Sequence, residues 1–415
     1  MLTPGDASYR AAQRADLLRF VDRAWHPLGF GWLDENGVID PDRPVELWIT
    51  CRMTHVAALG ALAGEAPAPD GPSHERLLEL VEHGVASLRG ALRDQECGGW
   101  FASVGPDGPR TTAKQAYGHA FVVLAASSAV SAGASRAEAL LAEALDVTAR
   151  RFWDEDAGLV VDEWDRQWRT LDPYRGVNAN MHAVEAFLAA GDVTGDRVWH
   201  ERAGRIAARV VAWASENQWR IPEHFDESWT PRLDHHRDQP AHPFQPFGAT
   251  VGHGLEWARL LLAVEATLGA DAPQGLLEAA TALTEGAVLD GWSPNGIPGF
   301  VYTTDWEGQA VVELRMHWVV AEAINTAWCL WRRTGEQHYL HWTKEWWLYV
   351  DRFLVDHERG SWHHELDDQN RVSRQVWPGK PDVYHAYQTA LLPECPLTPS
   401  FATALADTAR AVHVG

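Results

Sequence analysis

Two neighbouring stretches decide the fold: VELWITCRMTHVAALGALAG, residues 45–64, and SHERLLELVEHGVASLRGAL, residues 73–92. The first is apolar nearly all round a helix, as expected for a helix that is buried on every side. The second carries its charged residues on one face and its leucines on the other, as expected for a helix at a surface. Together they predict an inner helix followed by an outer helix.

The same pair of patterns recurs along the chain. Five further apolar stretches lie at residues 116–133, 178–191, 250–269, 316–335 and 382–393. Each is followed by an amphipathic stretch, and these lie at residues 135–153, 196–214, 272–289, 336–354 and 399–414. A repeat of two helices cannot bury its apolar faces alone, so neighbouring repeats must stack. The sequence therefore predicts six stacked helix pairs.

Short aromatic and β-branched stretches, each followed by acidic and turn residues, separate these pairs. They lie at residues 30–38, 98–108, 158–167, 219–228, 299–308 and 361–370. This composition is typical of short strands and hairpins. The predicted fold is an all-α, single-domain (α/α)6 barrel over residues 1–415, with the hairpins at one end. An open helical solenoid is the alternative, but the count of six and the apolar inner helices favour a closed ring.

Composition narrows the class of protein. The 415 residues carry a formal net charge of −22 without a basic cluster, which argues against nucleic acid and anionic membranes as partners. The chain has neither an apolar run of 18 residues nor a signal-like start, and its four cysteines form no Cys-x-x-Cys pair. We expect a soluble, cytoplasmic protein without disulfides or a zinc ribbon. Its oligomeric state, monomer or homo-oligomer, stays open.

Polar residues concentrate where the predicted inner helices begin. Since all inner helices of a toroid run the same way, these openings should meet as one polar funnel. The residues concerned are Arg52, His55, Tyr117, His119, Asn178, Asn180, His182, His253, Glu256, Arg315, His317, Trp318, Tyr384, His385 and Gln388. The 22 tryptophans suit either a core or flat walls for stacking on sugar rings. Together the six openings indicate a functional pocket.

Individual residues of the funnel also have structural interpretations. His55, His119 and His317 could be hydrogen-bonded core residues, and Asn178 could cap its helix. His253 and Glu256 are three residues apart on one helix face, so the carboxylate could orient the imidazole or form an ordinary polar pair.

A metal site is the main competing use of the 20 histidines. The adjacent pairs His235–His236 and His363–His364 should point to opposite sides of an extended segment, which makes them poor chelators. No His-Glu-x-x-His motif and no glycine-rich phosphate loop occurs. We expect no metal and no cofactor, and we expect residues 223–245 to form a lid or rim.

Several of these stretches resemble one known family in combination. CRMTHVAALG, NANMHAVEAFL, GHGLEWARLLL, MHWVVAEAI and KPDVYHAYQ are similar to motifs of the N-acylglucosamine 2-epimerase superfamily, and most similar to its branch of mannose and sulfoquinovose isomerases. The resemblance extends from about Gln13 to Ser400. It implies an (α/α)6 barrel that needs neither metal nor nucleotide, and a monosaccharide as the small-molecule partner.

The resemblance also implies roles for particular residues. His253 and His385 would be the two acid/base histidines, and the sugar would be bound by Arg52, Tyr117, Asn178, His182 and Glu256, with Trp318, Trp377 and Gln388 as further contacts. His317 stands where some relatives carry an aromatic residue, so this position should shape the pocket.

The chemistry expected of these residues is the interconversion of mannose and fructose, with lyxose and xylulose as a second pair. Histidine gives and takes protons near neutral pH, and Arg52 can stabilise a cis-enediolate intermediate. We expect His385 to transfer the proton between C2 and C1. We expect His253, oriented by Glu256, to open the sugar ring. A sugar 2-epimerase or a sulfoquinovose isomerase would use nearly the same residues.

Two other classes of protein stay open. A glycoside hydrolase or lyase would need two carboxylates about 5–10 Å apart in the funnel, and only Glu256 stands among the helix openings. A sugar-binding toroid without activity would need the aromatic residues but not both histidines.

Overall fold

The computed structural model describes residues 2–65 and 67–414. Within these ranges there are thirteen α-helices: α1 (Ala7–Arg23), α2 (Leu47–Ala63), α3 (His74–Arg89), α4 (Ala116–Ser131), α5 (Ala137–Val147), α6 (Val177–Thr194), α7 (Arg197–Glu216), α8 (Val251–Leu268), α9 (Leu276–Gly291), α10 (His317–Thr334), α11 (Gln337–Tyr349), α12 (Tyr384–Leu391) and α13 (Phe401–Val414).

The same ranges contain sixteen short strands. These are β1 (Trp25–His26), β2 (Gly29–Phe30), β3 (Val45–Glu46), β4 (Ser103–Gly105), β5 (Gly108–Thr111), β6 (Lys114–Gln115), β7 (Trp153–Asp154), β8 (Leu159–Val160), β9 (Glu163–Trp164), β10 (Arg175–Gly176), β11 (His224–Phe225), β12 (Ala249–Thr250), β13 (Thr303–Thr304), β14 (Ala310–Val312), β15 (Arg315–Met316) and β16 (Glu365–Leu366).

Six helices form a closed inner ring. In the order α2, α4, α6, α8, α10 and α12, each helix packs against the next, and α12 packs against α2. The helices α3, α5, α7, α9 and α11 each pack on the inner helix that precedes them. This arrangement confirms the predicted (α/α)6 toroid.

The sixth pair differs from the pair that the sequence pattern predicted. The helix that packs on α12 is α1, whereas α13 lies across α2, α4 and α6. The inner helix α12 has only eight residues, and the chain then passes Pro393, Pro396 and Pro399 before α13 begins. Proline cannot continue a helix, so this segment carries α13 away from the side of α12.

Burial explains why the two helix types have different compositions. Every residue of α2 from Leu47 to Ala61 is buried. On α3 the buried residues are confined to one face, with Leu77, Leu80 and Leu88 among them. A buried leucine side chain contributes about 1.5–3 kcal/mol of transfer free energy, so the inner helices supply much of the core.

A rim of short antiparallel strands holds the starts of the inner helices. The strand before an inner helix pairs with a strand of the connection that joins the following outer helix to the next inner helix. The pairs are β3 with β4, β6 with β9, β10 with β11, β12 with β13, and β15 with β16. The first N–H group of each of these five helices donates to the carbonyl oxygen of one residue in that connection, at 2.7–3.1 Å. The accepting residues are Ala102, Asp162, Glu223, Tyr302 and His364. These five positions are equivalent, and all lie beside the mouth of the ring.

Cysteine and tryptophan settle two expectations from composition. All four cysteines are free thiols. Several tryptophans belong to the hydrophobic core, and Trp100, Trp257, Trp346 and Trp362 are almost fully buried. Other tryptophans line the cavity described below. In the described part of the chain, no helix has the length and apolar character needed to cross a membrane.

Candidate active site

A cavity opens at the end of the ring where the inner helices begin. It brings together nine of the ten predicted site residues: Arg52, Tyr117, Asn178, His182, His253, Glu256, Trp318, Trp377 and His385. Asn178 does not cap its helix, and its buried Oδ1 has no partner among the described residues. An unpaired buried acceptor facing a cavity suits a ligand that carries hydroxyl groups.

Gln388 is the tenth residue, and it does not line this cavity. It lies almost one turn deeper than His385, where its Nε2 donates to Glu185 Oε1 at 3.2 Å and contacts His55 Nε2 at 3.2 Å. Gln388 is thus fully buried and is not among the residues that line the cavity, unlike the other nine. His55 and His119 are also core residues, and burial lowers the pKa of each to about 3.

His253 is oriented by a carboxylate that the sequence did not point to. Its Nδ1 lies 3.0 Å from both side-chain oxygens of Glu223, in the connection before β11. A carboxylate accepts hydrogen bonds, so Nδ1 of His253 carries a proton, and Nε2 is the ring nitrogen left to contact a substrate. The expectation that Glu256 orients His253 is wrong. Both residues lie on α8, but the partner of His253 comes from the rim.

His385 has an equivalent arrangement. Its Nδ1 lies 3.0 Å from Glu322 Oε1 on α10, and Glu322 Oε2 accepts from Arg259 Nε at 2.8 Å. Burial opposes ionisation of Glu322, but Arg259 and His385 outweigh it and lower the pKa of this carboxyl to about 2. Burial also lowers the pKa of His385, against the opposing effect of Glu322. The imidazole is therefore neutral near pH 7 and keeps a lone pair on Nε2.

Trp318 packs beside both imidazoles. Its ring centroid is 5.4 Å from that of His253 and 5.8 Å from that of His385. Close packing fixes this ring, because a Cβ atom on Gly252 would lie 2.2 Å from Trp318 Cζ3. Only glycine fits at position 252. Both histidines therefore pack against one fixed aromatic ring.

Glu256 belongs to a buried cluster of charges. Its Oε1 lies 3.7 Å from Arg259 Nη2 and 3.9 Å from His182 Nδ1. Burial, together with the neighbouring Glu322, raises the pKa of Glu256 well above its ordinary value. This shift favours the protonated carboxyl, which can donate a hydrogen bond as well as accept one.

One group in the described residues has the spacing of a metal site. Ligand atoms of Glu256, Glu322 and His385 lie within 4.8 Å of one another. The guanidinium of Arg259 already donates to Glu322 and lies beside Glu256, so a positive charge occupies the place that a cation would need. The donor set therefore fits an internal ion-pair network better than a metal.

Arg52 supplies a fixed positive charge on the opposite wall. It donates from Nη1 to Asp382 Oδ2 and from Nη2 to Tyr117 Oη, both at 3.1 Å. The rings of Trp48, Phe121 and Tyr384 surround its guanidinium, with centroids 4.6–5.0 Å from Cζ. Cation–π contacts and two hydrogen bonds hold the group in place.

The segment between Glu223 and Gln245 was expected to be a lid or rim, and part of it reaches the mouth of the cavity. Pro243 and Phe244 line the cavity. Phe244 packs edge-on against Trp48, Tyr117 and Trp377, with ring centroids 5.2–6.5 Å apart. These aromatic residues narrow the entrance.

Sequence reasoning missed several residues around the cavity, and two signals could have found them. Glu223, Tyr302 and His364 occupy the same position in successive repeats, directly before a strand of the rim. Glu322 and Arg259 are charged residues inside otherwise apolar helices, where charges are rare unless they are paired. Asp382, the partner of Arg52, precedes α12 and was passed over.

The arrangement is suited to moving protons on a small polar molecule. Two imidazoles, each held by a carboxylate through Nδ1, provide two candidate acid–base groups. A buried guanidinium offers a fixed charge for an oxyanion.

The comparisons with known proteins agree with this geometry. Residues 29–389 match the model of the N-acylglucosamine 2-epimerase (GlcNAc 2-epimerase) family. A D-mannose isomerase from Thermobifida fusca is 50% identical over 407 residues, which cover 96% of this chain and 98% of the relative. A D-mannose isomerase from Pseudomonas cannabina pv. alisalensis is 43% identical, over 97% of this chain and 96% of the relative.

A solved structure is similar over the same extent. The crystal structure of a D-mannose isomerase superposes with a TM-score of 0.86 at 26% identity, covering 94% of this chain and 99% of that one. The match to the family model, the two relatives and this structure lead to the same conclusion. The chain belongs to the N-acylglucosamine 2-epimerase family.

Proposed function

We propose that this protein is an aldose–ketose isomerase that interconverts D-mannose and D-fructose, with D-lyxose and D-xylulose as a second pair. The observation that carries the proposal is the pair of carboxylate-bound imidazoles, His253 and His385, in one cavity with Arg52. The relatives from Thermobifida fusca and Pseudomonas cannabina support the choice of sugar. Both are D-mannose isomerases, and the similarity covers nearly their full lengths.

The proposed reaction begins with opening of the sugar ring by His253, with Glu223 holding its Nδ1–H. His385 Nε2 then removes the proton from C2 and returns it to C1, while Glu322 stabilises the imidazolium that forms. The hydroxyl proton of O2 passes to O1 in the same conversion, which leaves the carbonyl group at C2. Arg52 stabilises the negative charge of the cis-enediolate. Tyr117, Asn178, His182, Glu256 and Trp318 bind and orient the sugar, and Trp377 borders the entrance.

Incubation of the purified protein with D-mannose tests this proposal, and we expect fructose as the product. Chromatography separates fructose from glucose in the same sample. Formation of glucose without fructose would assign the protein to the sugar 2-epimerases instead, because an epimerase returns the proton to C2. Conversion of sulfoquinovose in preference to mannose would shift the physiological substrate. Absence of any conversion would leave a sugar-binding toroid.

We further propose that the reaction is independent of metal ions. Two histidines are sufficient for the proton transfers, and Arg259 supplies the charge beside Glu256 and Glu322. Dialysis against a strong chelator should leave the rate of fructose formation unchanged, as measured against an undialysed sample. A loss of activity that a divalent cation restores would contradict the proposed mechanism.

We also propose a cytoplasmic location. The four cysteines are free, which is typical of proteins kept in a reducing compartment. Free monosaccharides taken up or released inside the cell would then be the substrates.

A further inference from the structure

His317, like Asn178, has a buried acceptor atom at the cavity that no described residue pairs with. It is the first residue of α10, only 5% of its surface is exposed, and it lines the cavity. Its Nδ1 lies 3.3 Å from the carbonyl oxygen of His364. A carbonyl oxygen only accepts hydrogen bonds, so Nδ1 must carry the proton.

The other ring nitrogen of His317 is therefore an acceptor. Burial and the neighbouring His364, His385 and Arg52 lower the pKa of His317 well below its ordinary value, so the ring is neutral at physiological pH. Nε2 is buried and has no hydrogen-bond partner among the described residues. An unpaired buried polar atom is unfavourable, so a ligand that donates a hydrogen bond to Nε2 would be favoured.

The ring cannot easily turn to find another partner. It stacks on the ring of His364 with centroids 3.9 Å apart and an interplanar angle of 28°. His364 is held in turn, because its Nε2 lies 3.0 Å from the carbonyl oxygen of Asp382. The backbone N–H of His317 also donates to His364, at 3.1 Å. Position and tautomer of His317 are therefore both set before a ligand arrives.

We propose that His317 is a specificity-determining residue that accepts a hydrogen bond through Nε2 from one hydroxyl group of the sugar. Its ring lies 6.3 Å, centroid to centroid, from that of His385, so this hydroxyl belongs to the same bound molecule that His385 acts on. The inference rests on the proposed function for the identity of the sugar. The hydrogen bond to His317 would exclude aldoses that lack this hydroxyl group.

A double-mutant cycle between the protein and the sugar tests this inference. Binding of D-mannose and of its 3-, 4- and 6-deoxy analogues is measured by calorimetry, alongside kcat/KM, for the wild type and for His317→Phe. For the wild type, one deoxy analogue should bind roughly 5–100-fold more weakly than mannose, as expected for a buried polar group left unpaired. His317→Phe should bind mannose more weakly by a similar factor, and it should bind that analogue no more weakly than mannose.

Two further variants serve as controls. His317→Gln keeps an acceptor oxygen, so it should restore at least part of the discrimination. Trp318→Phe changes the adjacent residue of the same helix without removing an acceptor, so it should alter all four sugars by one common factor. Circular dichroism verifies that each variant is folded.

The inference is wrong if the ratios between mannose and all three analogues are the same in the wild type and in His317→Phe. If His317→Phe does not fold, loss of the discrimination in His317→Ala, with its recovery in His317→Gln, supports the inference, and unchanged ratios oppose it. Because binding is measured directly, the cycle stands even if fructose does not form. In that case the proposed function fails and the inference about His317 is still decided.

Discussion

Replacement of His385 by alanine should abolish exchange of the hydrogen at C2 of mannose with solvent deuterium. His385 is the residue proposed to carry that proton, and a general acid–base group typically contributes about 10²–10⁴-fold in rate. We therefore expect kcat to fall by at least that factor. The change also leaves Glu322 without its imidazole partner, but Arg259 still donates to Glu322 at 2.8 Å.

His253→Ala is the matched control, because His253 is the other carboxylate-bound imidazole of the cavity. This variant should also turn over slowly, but a sugar supplied in the open-chain form should be less affected. Exchange at C2, followed by NMR in heavy water, should persist weakly. If exchange instead survives in His385→Ala and vanishes in His253→Ala, the two histidines have the opposite roles.

The closed ring of helix pairs followed from the sequence because it depends on periodicity. An inner helix such as α2 must be apolar on all sides, and an outer helix such as α3 on only one. The polar residues at the helix starts could be placed in one funnel for the same reason, since a toroid brings those starts together. Nine of the ten predicted site residues lie in that cavity.

The partners of these residues depend on contacts between distant parts of the chain, which periodicity does not contain. His253 and Glu256 are three residues apart, but His253 pairs with Glu223, thirty positions earlier. His385 pairs with Glu322, 63 positions earlier. Glu223 belongs to the rim connection that leads into α8, whereas Glu322 lies on α10, the inner helix that packs beside α12. The place of α1 beside α12 was missed for a similar reason, because it joins the two ends of the chain.

Replacement of Arg259 by methionine should have the largest effect on stability. Its guanidinium donates to Glu322 at 2.8 Å and lies 3.7 Å from Glu256 and 4.0 Å from Glu185, and all four side chains are buried. Removal of one partner from a buried ion pair typically costs about 3–5 kcal/mol. We expect a decrease of that order in the free energy of unfolding, measured by urea denaturation at pH 8. Arg333→Met is the control, since Arg333 is exposed where it pairs with Glu265, and a surface pair of this kind is worth roughly 0–1 kcal/mol.

The pH dependence separates this electrostatic effect from a loss of packing. In the wild type the pKa of Glu322 is lowered to about 2, so its contribution to stability is present at neutral pH and is lost only as the pH falls toward that value. Without Arg259 we expect burial to raise the pKa of Glu322 above that of the unfolded chain, so the variant should gain stability as the pH falls and the carboxyl takes up a proton. The difference in unfolding free energy between wild type and Arg259→Met should therefore narrow between about pH 8 and about pH 5. A difference that stays constant over this range would mean that Arg259 stabilises the fold by packing. It would also mean that Glu322 stays ionised beside His385 without the positive charge of Arg259.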